Sequence, residues 1–188
     1  MTLFDALNDF APLSRETFAL LEEQLRPMER AKGDFLVLPG QVQRHLYFVQ
    51  EGVQMAFAER RGKLHVMAFT YPHNVAAIPE SFARQEPSPV AFQCLTDSRL
   101  LCLPYESLQR LLATSHELER YLRQVTELLL AGVVSRMREL QTSTMEERFR
   151  AFCERSPHLL HLVPHKYIAS YLHIDPTNFS KLYNRIRI

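Results

Sequence analysis

Apolar and polar positions alternate with a period of two in several short runs between residues 28 and 104. Leu46 and Phe48 alternate with Tyr47 and Val49. Val53, Met55 and Phe57 alternate with Gln54, Ala56 and Ala58, and Leu64, Val66 and Ala68 repeat the pattern after the turn Arg61-Gly62-Lys63. A period of two sends successive side chains to opposite faces of a strand. Four of the five glycines (Gly33, Gly40, Gly52, Gly62) separate these runs, where turns need them. A second pair of runs, 90–95 and 99–103, flanks the turn Thr96-Asp97-Ser98. The texture predicts an antiparallel β-roll. The stretch 71–89 carries four prolines and reads as irregular, and a connection of that length inside a β domain usually has a function.

The flanks follow a helical period. Ser14 is placed to cap a helix bearing Phe18, Leu21 and Leu25 on one side, with Pro27 as its expected stop. From Tyr105 onward the pattern is helical again. The segment 116–141 carries Leu118, Leu122, Val125, Leu129, Val133, Met137 and Leu140 at mostly helical steps, with charges on its other faces. At 1.5 Å per residue it would span roughly 37 Å. That is long for a helix serving one small domain, so a coiled-coil seam between two copies is the favoured reading. Thr144 and Glu147 form a capping box opening a further helix with Phe149 and Phe152, which Ser156-Pro157 ends.

Residues 164–186 read as two short helices joined by a tight turn. Ile168, small Ala169 and Leu172 line one side of the first helix, and Ile174 plugs the angle between the two. Asp175-Pro176 is a strong start for the second, as N-cap and first helical residue. That second helix buries Phe179, Leu182 and Ile186 and presents Thr177, Asn178, Lys181, Asn184 and Arg185, none of them acidic. Asn and Lys can donate to base edges, and Lys and Arg can hold phosphates. This is the pattern of a helix-turn-helix whose second helix enters a major groove. An ordinary helical hairpin at a chain end would share the fold signal but not the acid-free face.

Composition is that of a globular chain: 188 residues, 46% hydrophobic and 23% charged, with a net charge of +1. The charge is uneven. Residues 142–188 hold seven basic side chains (Arg148, Arg150, Arg155, Lys166, Lys181, Arg185, Arg187) and four acidic ones, against 15 and 17 in the first 141. No apolar run reaches the length of a membrane span, and no secretory signal is visible at the N-terminus. Cys94, Cys102 and Cys153 fit neither a disulfide framework nor a zinc site, so the expected setting is the cytoplasm. No nucleophile elbow, phosphate loop or dinucleotide fingerprint occurs, and the roll histidines His45, His65 and His73 are scattered. Neither an enzyme nor a metal site is expected.

In order and motif the chain resembles the Crp/Fnr family of bacterial transcription regulators. The β part resembles it through Lys32-Gly33-Asp34, Gly40 and 46–52, and the tail through 168–172. The resemblance implies an α+β chain in three parts. These are a jelly-roll sensor over 1–115, like cyclic-nucleotide-binding domains; a dimerisation helix over 116–141; and a DNA-binding helix-turn-helix over 142–188, without a full wing because the sequence stops at Ile188. It implies a homodimer on double-stranded DNA under control of a small-molecule effector, and leaves room for contact with RNA polymerase. Thr177, Asn178 and Lys181 are the expected base contacts. His165, Lys166 and Arg185 are the expected phosphate contacts.

The sequence also departs from that family. Members that bind a cyclic nucleotide carry a Gly-Glu pair and a later Arg-Ser/Thr pair. Here Ala77-Ile78 and Ser88-Pro89 stand at those places. A cyclic phosphate without that arginine would lack its charge partner, so cyclic AMP is not the expected effector. An effector pocket is expected among Phe69, Glu80, Ser81, Arg84, Ser88 and Val90. The alternative is a degenerate sensor or protein-interaction module that does not bind DNA.

Overall fold

A computed structural model describes residues 2–186, so Arg187 of the basic tail lies outside the described residues. Two short helices, α1 (Leu3–Asn8) and α2 (Arg15–Glu22), precede the strands β1 (Arg26–Arg30), β2 (Phe35–Val37), β3 (His45–Glu51), β4 (Gln54–Arg60), β5 (Lys63–Thr70) and β6 (Val75–Ala76). After α3 (Pro79–Arg84) come β7 (Ala91–Cys94) and β8 (Ser98–Pro104). The rest is helical: α4 (Tyr105–Thr114), α5 (His116–Thr142), α6 (Met145–Arg155), α7 (Leu159–Leu162), α8 (His165–Leu172) and α9 (Pro176–Arg185). The strands form two four-stranded antiparallel sheets, ordered β1-β8-β3-β6 and β2-β7-β4-β5. The α+β roll with a helical C-terminal region is as expected.

Two local expectations need correction. The N-terminal helix does not run to Pro27. It ends at Glu22, and Pro27 sits in β1 opposite Leu101. Strand β1 is an edge strand, where a missing N–H costs no ladder bond. The proline-rich stretch 71–89 is not wholly irregular, since it holds β6 and α3. Pro79 opens α3 at a position where its absent N–H is harmless.

The two faces of β4 explain how the protein is built. One set of side chains, including Ala56 and Ala58, packs with Val37, Tyr47, Val90, Phe92 and Leu100 between the sheets. The other set, Val53, Met55 and Phe57, joins one continuous core with Phe149, Phe152, Leu159, Ile168, Leu172 and Phe179 of the helical tail. The β2-β7-β4-β5 sheet is thus covered on both faces, and α6–α9 are its outer layer. That double burial matches a strand apolar on both sides.

Strand β5 is one of the two edges of that sheet. Ser170 of α8 covers part of it: its hydroxyl donates to the Leu64 carbonyl (2.9 Å) and accepts from the Val66 N–H (3.0 Å). One side chain thereby satisfies two edge groups that would otherwise need water or another strand.

Gly52, with φ +91°, turns the chain between β3 and β4 against the β7–β8 turn. A Cβ there would lie 2.5 Å from the Asp97 carbonyl oxygen and 2.9 Å from the Ser98 Cα. Backbone cannot yield as a flexible side chain can. Gly52→Ala is therefore expected to cost on the order of 3 kcal/mol, read as a lower urea midpoint. An unchanged midpoint would show that the turn can rearrange freely.

Helix α5 splits into two environments. Leu118, Tyr121 and Val125 are buried in their own protomer, with Leu7, Leu103 and Leu108. The Tyr121 hydroxyl donates to the Leu7 carbonyl (3.0 Å). Beyond that point Leu128, Leu129, Leu130, Val133, Val134 and Met137 are all more than half exposed. The expected seam therefore cannot use Leu118 or Val125. Only the second half of the helix is free to meet another copy.

Candidate nucleic-acid interface and roll pocket

The end of the tail folds as two helices, α8 and α9, with a tight turn between them. Asp175 caps α9 by accepting the Thr177 N–H (2.9 Å), and Pro176 follows as the first helical residue. His173 ends α8 in the left-handed region (φ +53°), the position where its small tolerance for positive φ is needed. Ile168, Ala169, Leu172, Ile174 and Phe179 are buried, so α8 and α9 cross closely over small Ala169. Phe179 meets Phe149 edge to face at 5.3 Å, tying α9 to α6.

With its apolar side so occupied, α9 turns Thr177, Lys181, Asn184 and Arg185 to solvent, while Asn178 is half-buried. Thr177, Lys181 and Arg185 recur every four residues and share one face. The other expected phosphate ligands sit on α8. Lys166 is exposed, its ammonium 4.9 Å from the Tyr167 ring centre. His165 is half-buried. Its ring lies 4.3 Å from that of Tyr183 and its Nε2 3.3 Å from the Leu160 carbonyl, so it braces α8 against α9. Arg185 is paired with Glu146 of α6, whose carboxylate also takes Arg150 at 2.8 Å. Hydrogen bonding, from Arg150 foremost, holds Glu146 below the usual carboxylate range. A phosphate would have to draw Arg185 from an exposed pair, and such pairs contribute about 1 kcal/mol or less.

Sequence reasoning missed the residue that sets the turn. Arg148 on α6 is buried, and its Nε donates to the Leu172 carbonyl (2.9 Å) and its Nη2 to the His173 carbonyl (3.3 Å). Nη1 donates to the Ser143 carbonyl. The guanidinium thus satisfies the last carbonyls of α8 and is itself satisfied, which a buried charge requires. Arg136 of α5 performs a similar task. It donates to the Tyr171 carbonyl, and its guanidinium lies 4.3 Å from the Tyr171 ring centre. Nothing in the local sequence marks these two arginines apart from their neighbours.

The six residues expected to line a roll pocket are not brought together. Phe69 lies on the tail-facing side of the second sheet, 5.4 Å from the Tyr171 ring. Glu80 and Arg84 on α3 are exposed, and Arg84 pairs with Glu86 at 3.2 Å. Val90 belongs to the core between the sheets. Ser81 and Ser88 are buried, and each hydroxyl is used inside the chain. Ser81 donates to the Glu86 carbonyl and accepts the Gln43 N–H, while Ser88 donates to the Val90 carbonyl. Gln43, buried beside them, accepts the Ile78 N–H and donates to the His45 carbonyl. Burial also pushes the Tyr47 hydroxyl up to about 12. The Ser81 and Ser88 hydroxyls and the Gln43 amide are thus partnered mainly by backbone groups of the chain itself.

The cysteines are free and buried, and burial raises Cys94 and, to about 11, Cys102. They are packed side chains, not thiolates. No helix among the described residues is long and apolar enough to cross a membrane.

A β-roll covered by C-terminal helices is an architecture that known proteins share. Residues 27–115 match the cyclic nucleotide-binding domain family. The chain as a whole has the fold of the Crp/Fnr transcription regulators. FixK2 from Bradyrhizobium japonicum is 16% identical, covers 86% of this chain and 83% of its own, and superposes with a TM-score of 0.75. A protein assigned to the Crp/Fnr family from Eubacterium rectale is 14% identical over 97% of this chain and 86% of its own, with a TM-score of 0.72. The c-di-GMP-responsive global regulator CLP from Xanthomonas campestris is 16% identical over 92% and 91%, with a TM-score of 0.66. No curated sequence matches the chain.

Proposed function

We propose that the protein is a cytoplasmic, homodimeric, DNA-binding transcription regulator whose roll responds to a small-molecule effector other than cyclic AMP. The observation that carries the DNA reading is the exposed, acid-free face of α9, held rigidly by the buried Phe179 and Leu182. Thr177, Asn178 and Lys181 contact bases, and Lys166 and Arg185 contact phosphates. His165 acts mainly by bracing the two helices. The hydrogen bonding of the Ser81 and Ser88 hydroxyls to the Glu86 and Val90 carbonyls supports the exclusion of cyclic AMP, because neither hydroxyl is left free to donate to a cyclic phosphate.

Lys181→Ala tests the reading. Losing one base-edge contact costs about 1–3 kcal/mol, so affinity for a selected site should fall roughly tenfold to a hundredfold, measured by fluorescence anisotropy. If the unmodified protein shows no salt-sensitive retention on DNA, the regulator reading fails and a sensor without DNA binding takes its place.

A further inference from the structure

The β4–β5 hairpin lies beside the helix-turn-helix, and its tip is strongly basic. Its sequence is Glu59-Arg60-Arg61-Gly62-Lys63, with Arg60 opposite Lys63. Arg61 (φ +53°) and Gly62 (φ +71°) are both left-handed, the conformation a two-residue type I′ turn requires. Asn, Asp or Gly suits the first of these positions best. An arginine there keeps a charge at a backbone cost, and such local strain tends to mark a functional position. All three cations are exposed, and none forms an ion pair among the described residues. Glu59 at the hairpin base is the nearest acid in sequence.

The hairpin is fixed relative to α8. Ser170 bonds to Leu64 and Val66, immediately after the tip. Lys166 lies one turn earlier on the same side of α8. Gly62, Lys63, Lys166, Tyr167 and Pro176 line one cleft of about 490 Å³, so the hairpin tip, the start of α8 and the start of α9 border a common space. No acidic side chain is among the described residues that line this cleft.

We propose that the β4–β5 tip is a second nucleic-acid contact, in which Arg61 and Lys63 hold phosphates of duplex DNA flanking the segment read by α9. The inference rests on the DNA-binding reading of α9 and extends it to the roll. It makes the sensor domain a direct contributor to affinity, and Ser170 is the positioning residue that aligns the two contacts. The contact carries no base information, because phosphates are common to all sequences.

The test needs no known operator. Binding of the full chain to a mixed-sequence duplex of about 40 base pairs is measured at several salt concentrations. Each phosphate contact contributes about 0.9 to the slope of log affinity against log salt. Arg61→Asn combined with Lys63→Gln should lower that slope by about 1.8 for each protomer in contact with the duplex. The advantage of wild type over the variant should then shrink by about tenfold per contacting protomer between roughly 50 and 200 mM salt. Asparagine suits a left-handed position, so the melting temperature should not fall. Arg44→Gln, just before β3 of the other sheet, controls for loss of charge and should leave the slope unchanged. If the unmodified protein binds with a steep slope and the double variant matches it, the hairpin proposal is overturned, and an acidic protein surface becomes the better partner for the tip. If the unmodified protein shows no salt-dependent binding at all, the α9 reading falls and this proposal with it.

Discussion

Leu129→Glu or Val133→Glu is expected to convert the proposed dimer into a folded monomer. Leu129, Leu130, Val133, Val134 and Met137 stand 57%, 63%, 66%, 52% and 56% exposed along the second half of α5. At 100° per residue they fall on one side of the helix. A contiguous apolar stripe of this size marks an interaction surface, and a second copy of the same helix is the partner the coiled-coil spacing fits. A carboxylate placed in such a seam would be buried without a partner, at a cost of several kcal/mol for each copy. Light scattering should report half the mass, with unchanged far-UV circular dichroism. DNA binding should weaken with it, because two half-sites would no longer be held together. Val125→Glu makes the contrast. Val125 is 8% exposed within its own protomer, in one core with Leu103 and Leu108, so the charge there should unfold the chain instead of dividing a pair. A monomeric unmodified protein would remove the seam altogether.

The same helix shows what a one-dimensional pattern can and cannot convey. Its length and apolar spacing were legible, but the spacing of Leu118 and Val125 is indistinguishable from that of Leu129 and Val133. Which half faces its own domain depends on α1, α2 and α4 folding back onto it. Caps were legible because their chemistry is local. Thr144 with Glu147, Ser14, and Asp175 with Pro176 all act within three residues, and each sits where the sequence places it. Ser170 meets Leu64 and Val66 across more than a hundred residues, and Arg148 reaches Leu172 across 24. Ser and Arg carry no mark of such distant partners.

The roll pocket was the least legible part. Phe69 faces the tail, whereas Ser81 and Ser88 are buried in hydrogen bonds around α3, a separation that position along the chain does not reveal. A bulge between Ala56 and Phe57 shifts the β4–β5 register, altering which side chains of β5 face the tail. Alternation also could not say what covers the outer side of β4. Val53, Met55 and Phe57 show that something apolar must, and the tail is what does.

That shared core leads to the second large effect. Phe149→Ala is expected to cost about 3–5 kcal/mol, the range for deleting a fully buried phenyl ring. Phe149 is fully buried, meets Phe179 of α9, and belongs to the same continuous core as Val53, Met55 and Phe57 of the roll. If the tail were a separate unit, the loss would melt α6–α9 and leave the roll intact. Because the core is common, releasing the tail would also expose the apolar outer face of β4 and strip Ser170 from the edge of β5. The two parts should therefore unfold in one urea transition, in the variant as in the unmodified protein, with the midpoint lowered. Amide hydrogen exchange gives the residue-level readout: Val66 on β5 should lose protection together with the amides of α8. Protection retained at Val66 after α8 has exchanged would mean that the tail leaves the sheet at little cost, so that the joint core does not couple the roll to the helical tail.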